Sequence, residues 1–234
     1  MKNISIVQRL GAELLGTALL LAVIIGSGIV GDTLDNGNVA ITLLAHSLAV
    51  GAILVVLIAM FGPVSGAHFN PVVTFVFWLK KDITTEHACY YILCQILGAL
   101  IGVFLVHLSF EQDMIQYAQT VRTGYGKYIG EVIATFGLVF VILFTLRTNP
   151  TYIPASVGLY IFAAIWFTSS GSFANPAVAI ARGISDTFTG IRFSDVPMFI
   201  VAECIGAFCA LMLYKFFFIE DVTSVLRNKQ KEIC

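Results

Sequence analysis

Charge is scarce in this chain. Lys, Arg, Asp and Glu make up 12% of its 234 residues while apolar types reach 58%. A soluble domain carries about twice that share of charge, so water alone cannot be the solvent. The net charge of −1 gives no basic surplus for nucleic acid. Five cysteines, an odd count in a chain this long, exclude a disulfide scaffold. No phosphate-binding glycine loop, zinc-ligand spacing or nucleophile constellation is present. That argues against an enzyme, a resident metal or a cofactor. Disorder is excluded by 19 Phe and by long aliphatic runs. What remains is a polytopic, all-α membrane protein.

Six stretches approach the roughly 20 apolar residues that cross a bilayer. They are 10–31, 39–61, 87–108, 128–146, 153–168 and 196–219. The fifth is short enough to be interrupted. The first begins too late, and is too long, for a cleaved signal peptide. With both termini in the cytoplasm, nine of the thirteen basic residues fall inside: Lys2, Arg9, Lys80, Lys81, Arg147, Lys215, Arg227, Lys229 and Lys231. The expected location is the plasma membrane, the inner membrane in a bacterium, with a short cytoplasmic tail over 220–234.

Two connections are unusual. Residues 62–71 and 169–176 are Gly/Ser-rich and each ends in Asn-Pro, at Asn70-Pro71 and Asn175-Pro176. Each leads into a short apolar run, 72–79 or 177–184, too short to span. Each reads as a loop that dips into the membrane and returns as a half-helix. Irregular backbone at that depth is tolerated only when buried or lining a water-filled cavity.

The chain repeats itself. Glu13-Leu14-Leu15-Gly16-Thr17 parallels Glu131-Val132-Ile133-Ala134-Thr135, the two Asn-Pro loops correspond, and Gln95-Ile96-Leu97-Gly98-Ala99 parallels Glu203-Cys204-Ile205-Gly206-Ala207. Repeat one covers about 8–108 and repeat two about 127–219 of one channel domain. Three spans per copy is odd, so the second copy sits inverted and the broken helices meet near the midplane. Asn is a good N-cap and Pro a good first helical residue. Each Asn carbonyl can cap its own helix, leaving the amide NH₂ as a donor to the cavity. Carbonyls over 64–68 and 170–173 can serve as acceptors along the wall.

The segment Ser65-Gly66-Ala67-His68-Phe69-Asn70-Pro71-Val72 and the box Asn175-Pro176-Ala177 resemble the paired signatures of the major intrinsic protein family. The resemblance covers nearly the whole chain. It implies six transmembrane helices plus two re-entrant half-helices in an inverted 3+3 repeat. It also implies a homotetramer with one pore per subunit, and passive flow of water or small neutral solutes. The first box departs from Asn-Pro-Ala at Val72. A larger departure is Val178, where most relatives place a constriction arginine. Counting from the boxes puts Val50 and Ser172 at the same constriction, with Ile165 or Ala163 as the fourth position and Trp166 able to intrude. Bacterial relatives lacking that arginine are associated with arsenic resistance. Glycerol-like solutes, arsenite and methylated arsenicals are therefore the expected cargo.

Other residues carry paired readings. His46 is either a histidine satisfied by a neighbouring helix or a polar group at the pore mouth. Arg182 reads as a surface residue snorkelling to headgroups, with the pore mouth as alternative. The family resemblance implies that Glu13 and Glu131 hydrogen-bond the backbone of the re-entrant loops and hold their shape, and His68 reads as a further support for the first loop. Gly16, Gly98, Gly102 and Gly206 read as close helix contacts. Cys89, Cys94, Cys204 and Cys209 read as buried apolar residues. Three competing functions stand beside the wide channel. One is an ordinary water-selective aquaporin. Another is a coupled transporter using Glu13 and Glu131. The last is a junctional protein with a closed pore.

Overall fold

A computed structural model of the chain describes residues 4–218; the tail, with Cys234, lies outside the described residues. Those residues form α-helices joined by loops and two 3₁₀ turns. The helices are α1 (Ile6–Leu34), α2 (Val39–Ser65), α3 (Pro71–Leu79), α4 (Thr85–Ser109), α5 (Tyr125–Thr148), α6 (Ile153–Phe167), α7 (Pro176–Arg182) and α8 (Val196–Phe217). The order long, long, short, long occurs twice. Six helical segments are long and apolar enough to cross a membrane. The fifth is a continuous α6 preceded by the 3₁₀ turn Pro150–Tyr152, not a broken helix.

Local signals set the boundaries. Ser5 and Gln8 form a reciprocal capping box at the start of α1. Thr84 caps α4 through the His87 amide. Asn70 and Asn175 cap α3 and α7, each followed by Pro at the first helical position. α2 ends at Gly66 in the left-handed region, φ 91°.

Polarity is distributed inside out. Glu13, Gln95, Glu131 and Glu203 are fully buried, while Leu15, Leu19, Leu93, Leu97, Phe208 and Met212 face outward. Helices apolar on the outside suit a lipid solvent, in which burial of apolar surface no longer drives association. This explains a correction. Cys89 and Cys209 are exposed and Cys94 and Cys204 half-buried, all four as free thiols. In lipid an apolar thiol gains no hydrophobic stabilisation from moving to the interior.

Close packing instead follows from small residues. A Cβ on Gly98 would overlap the Leu14 carbonyl. On Gly206 it would overlap the equivalent Val132 carbonyl. These contacts join α1 to α4 and α5 to α8 as matching pairs.

Candidate functional site

The two re-entrant loops follow one backbone path. In the first, Gly66, Ala67 and Phe69 have φ of 91°, 49° and 49°. In the second, Gly171, Ser172 and Ala174 have φ of 81°, 50° and 49°. Left-handed non-glycine residues cost of order 1–2 kcal/mol each. They persist because buried carboxylates gather the amides that this path points inward. Glu13 accepts from the N–H of His68 at 3.0 Å and of Phe69 at 2.8 Å. Glu131 accepts from Phe173 at 2.9 Å and Ala174 at 2.7 Å, the corresponding residues.

Around these carboxylates the halves diverge. Gln95 Nε2 donates to Glu13 Oε2 at 2.8 Å and to Thr74 at 2.9 Å. The equivalent Glu203 accepts from the Asn175 N–H at 3.0 Å and lies within hydrogen-bonding reach of Glu131. Its Oε2 has no donor partner. Gln95 and Glu203 enter the sequence reading only as repeat landmarks. Their shared offset from the Gly-Ala pair was the available signal.

The loops meet head to head. Asn70 Nδ2 donates to the Ala174 carbonyl at 2.7 Å, and Asn175 Nδ2 donates to the Phe69 carbonyl at 2.9 Å. The exchange is reciprocal, as a two-fold relation between the halves requires. Each side-chain carbonyl caps its own helix: Asn70 accepts from Val72, and Asn175 from Ala177 and Val178. The amide NH₂ is thus only half available. One hydrogen staples the loops together, and the second remains for the cavity. Pro71 and Pro176 sit behind these caps, buried. Val72 turns away and packs with Val76, Val139, Leu143 and Ala207.

A continuous cavity with about 100 Å³ open to water-sized molecules passes this point. Along α2 it is lined by His46, Val50, Leu54 and Ile58, and along α6 by Ile165, Ile161, Val157 and Ile153, each one helical turn apart. His68, Asn70 and Phe77 contribute from one loop and half-helix, and Ser172, Asn175, Val178 and Arg182 from the other. The carbonyls of 66–68 and 171–173 accept no protein hydrogen bond among the described residues, whereas Ser65 O is taken by Tyr91 and Ser170 O by Arg122. Apart from His46, the cavity wall is therefore apolar on the α2 and α6 side and rich in acceptors on the loop side.

Three readings are corrected here. Ala163 is exposed on the outer face of α6 and does not line the cavity; Ile165 does. Two residues apart on a helix, they point in nearly opposite directions. Trp166 is also outward, 46% exposed, with Nε1 bonded to Ser47 at 2.8 Å. Arg182 is not on the surface. It is 6% exposed, its Nε donates to the Thr189 carbonyl, and its guanidinium lies 3.4 Å from the centre of the Phe173 ring. The His46 alternatives are not exclusive: Nδ1 contacts Ser27 on α1 at 2.9 Å, and the ring lines the cavity. Sequence reasoning missed Arg122. It runs inward to the carbonyls of Gly190, Ser170 and Phe188 and also stacks on Phe173.

The family model described as Major intrinsic protein matches residues 1–169 and 151–233. The chain belongs to the major intrinsic protein family. It is 44% identical over 232 residues to the aquaglyceroporin AqpS of Rhizobium meliloti (strain 1021), covering 99% of both chains. It is 27% identical to aquaporin-4 of Mus musculus, covering 96% of this chain and 71% of that protein. The aquaglyceroporin of Plasmodium falciparum shares the fold, with a TM-score of 0.68 at 23% identity, covering 90% of this chain and 96% of that one. As a member of this family, the chain is a membrane channel for water and small solutes and not an enzyme.

Proposed function

We propose that this channel has a wide, apolar outer constriction that favours glycerol-like solutes and neutral metalloid acids such as arsenous acid over water alone. Methylated arsenicals in their neutral forms are further cargo. The observation that carries the reading is the side-chain set Val50, Ile165 and Val178, apolar residues lining the cavity that also holds the Asn pair, with Ser172 in the same lining. Valine at 178 leaves open a cross-section that an arginine would fill. A compact polyhydroxylated solute can trade its hydration for the free loop carbonyls and for the second amide hydrogens of Asn70 and Asn175. The name of the 44% identical relative, an aquaglyceroporin, supports the same class.

The coupled-transporter reading loses support because both carboxylates serve the loops: Glu131 accepts from Phe173 and Ala174, and Glu13 accepts four hydrogen bonds, from Ser65, His68, Phe69 and Gln95. No face of it is left for a coupling ion. The outward apolar surface suits a lipid environment, and membership of the family supports a homotetramer with one pore per subunit. In this reading Val178 and Arg182 face outside and both termini face the cytoplasm.

The test is stopped-flow and isotope flux in proteoliposomes. The parent conducts glycerol and arsenous acid downhill without saturation. Asn70→Asp/Asn175→Asp loses both fluxes, because each substitution replaces the donor that faces the cavity and staples the loops with an acceptor. Fast water flux with no glycerol or arsenous acid entry in the parent overturns the wide-channel reading.

A further inference from the structure

The seventh residue after each Asn lies at a mouth of the cavity: Phe77 at one end and Arg182 at the other. The second residue before each Asn is its ring partner. His68 stacks on Phe77 with centroids 4.7 Å apart and planes at 22°. Phe173 carries the Arg182 guanidinium at 3.4 Å. One mouth is bordered by two rings and the other by a ring and a guanidinium.

Arg182 is held but not satisfied. Of its five N–H donors, Nε is used on Thr189. The two terminal nitrogens make no hydrogen bond among the described residues and are not fully enclosed. Four donors therefore remain open on a side chain that is otherwise buried and borders the cavity. No carboxylate pairs with it among the described residues. Arg122 adds a second guanidinium on the same Phe173 ring, with each of its three nitrogens bonded to a carbonyl. His46 commits Nδ1 to Ser27, leaving its other nitrogen unpartnered, and the Ser172 hydroxyl has no partner either.

The geometry points to Arg182 as the selectivity-determining residue of this mouth. It presents a planar, doubly armed donor to solutes that carry two or more oxygens on one atom or on adjacent atoms. This rests on the channel reading above and narrows its substrate class. A guanidinium fork matches paired oxygens and gains little from a single one. Arsenous acid, with three hydroxyls on one centre, and glycerol, with vicinal hydroxyls, both fit. The cation at 182 stands one turn beyond Val178. The constriction at Val178 stays wide and apolar while the donors wait at its entrance. Stacking on Phe173 and the Nε bond fix the fork, so little side-chain freedom is lost when a solute arrives. The same fixed charge, reinforced by Arg122, repels cations.

The experiment measures permeability to glycerol, arsenous acid and water in proteoliposomes for the parent, Arg182→Leu and Arg182→Lys. The readout is the solute-to-water ratio, which a loss of folded channels does not move because all fluxes then fall together. Arg182→Leu is expected to lower both ratios about tenfold, equivalent to about 1.4 kcal/mol, the scale of one or two net hydrogen bonds. Arg182→Lys keeps the charge without the fork, so a smaller fall is expected, larger for arsenous acid than for glycerol. Ratios within twofold of the parent in either variant overturn the assignment. The Asn70→Asp/Asn175→Asp reference separates the two failures. Full flux there overturns the mid-cavity reading, whereas unchanged ratios at Arg182 overturn this inference alone.

Discussion

The two halves of the molecule share a backbone and differ in what completes it. Both loops place left-handed residues four, three and one before the Asn, both hand two amides to a buried glutamate, and both give one amide hydrogen to the opposite loop. The differences lie one layer out. Phe69 fills the first loop against Gly16, where any Cβ would overlap its ring, while the second loop has Ala174 and Ala134 in those places. Gln95 faces Glu13, while Glu203 faces Glu131. The mouths hold His68 with Phe77 and Phe173 with Arg182. The mid-membrane meeting point needs two matching backbones, because a reciprocal exchange works only between like geometries. Nothing at the mouths has that constraint, and there the halves are free to take different chemistry.

The strongest test of the shared frame is at the helix crossings. Gly98→Ala and Gly206→Ala should be equally damaging, each costing about 3 kcal/mol or more, because each Cβ meets a backbone carbonyl that no side-chain rotation can move. Yield of monodisperse protein in detergent and thermal unfolding would show it. Gly102→Ala sharpens the comparison. Gly102 sits against the Ala18 carbonyl, so alanine should fail there. The corresponding residue in the other half is already Ala210, fully buried. A tolerated Gly102→Ala would mean that α1 and α4 can separate as α5 and α8 do.

A smaller effect is expected where the halves already differ. Glu203→Gln should keep both folding and conduction. Its amide can donate to Glu131 as Gln95 does to Glu13, and its oxygen can still accept from Asn175. The reverse change, Gln95→Glu, removes the donor shared by Glu13 and Thr74 and sets two carboxyl groups face to face. A loss of about 2 kcal/mol follows from the unmade bonds, read as a lower unfolding temperature with reduced flux. Equal behaviour of the two exchanges would show that the different partners of Glu13 and Glu131 have no structural role.

The sequence made the frame legible and the mouths only in part. The six spans, both half-helices and the pairing of the loops follow from hydropathy, two Asn-Pro steps and the Glu and Gly-Ala landmarks, all local signals. Arg182 was misplaced because position along a half-helix gives depth only if the loop after it is known. Here the carbonyl of Thr189 folds back to hold the guanidinium inside. Ala163 and Ile165 could not be told apart by counting, since a loop of uncertain length shifts the helical phase. Arg122, on a connecting loop, gave no periodic signal at all. The cysteines were misread by applying water's rules to a surface that faces lipid.

The mildest difference between the halves is in the boxes themselves, Val72 in one and Ala177 in the other. Val72 does not line the cavity. Its methyls fill space between α3, α5 and α8 among Val76, Val139, Leu143 and Leu211. Val72→Ala should therefore leave water and glycerol flux unchanged. It should cost about 1–2 kcal/mol through the void left in a close-packed interior. The converse, Ala177→Val, adds two methyls at a residue with no exposed surface, directly beside the amide that Asn175 caps at 3.0 Å. Overpacking there costs about 1–3 kcal/mol, and it strains the residue whose Nδ2 reaches Phe69. Stability should fall comparably in the two variants, while flux should fall only in the second. Thermal unfolding and stopped-flow swelling on the same preparations decide it. A loss of conduction in Val72→Ala would mean that the first box shapes the cavity directly, and that the halves differ at the midplane as well as at the mouths.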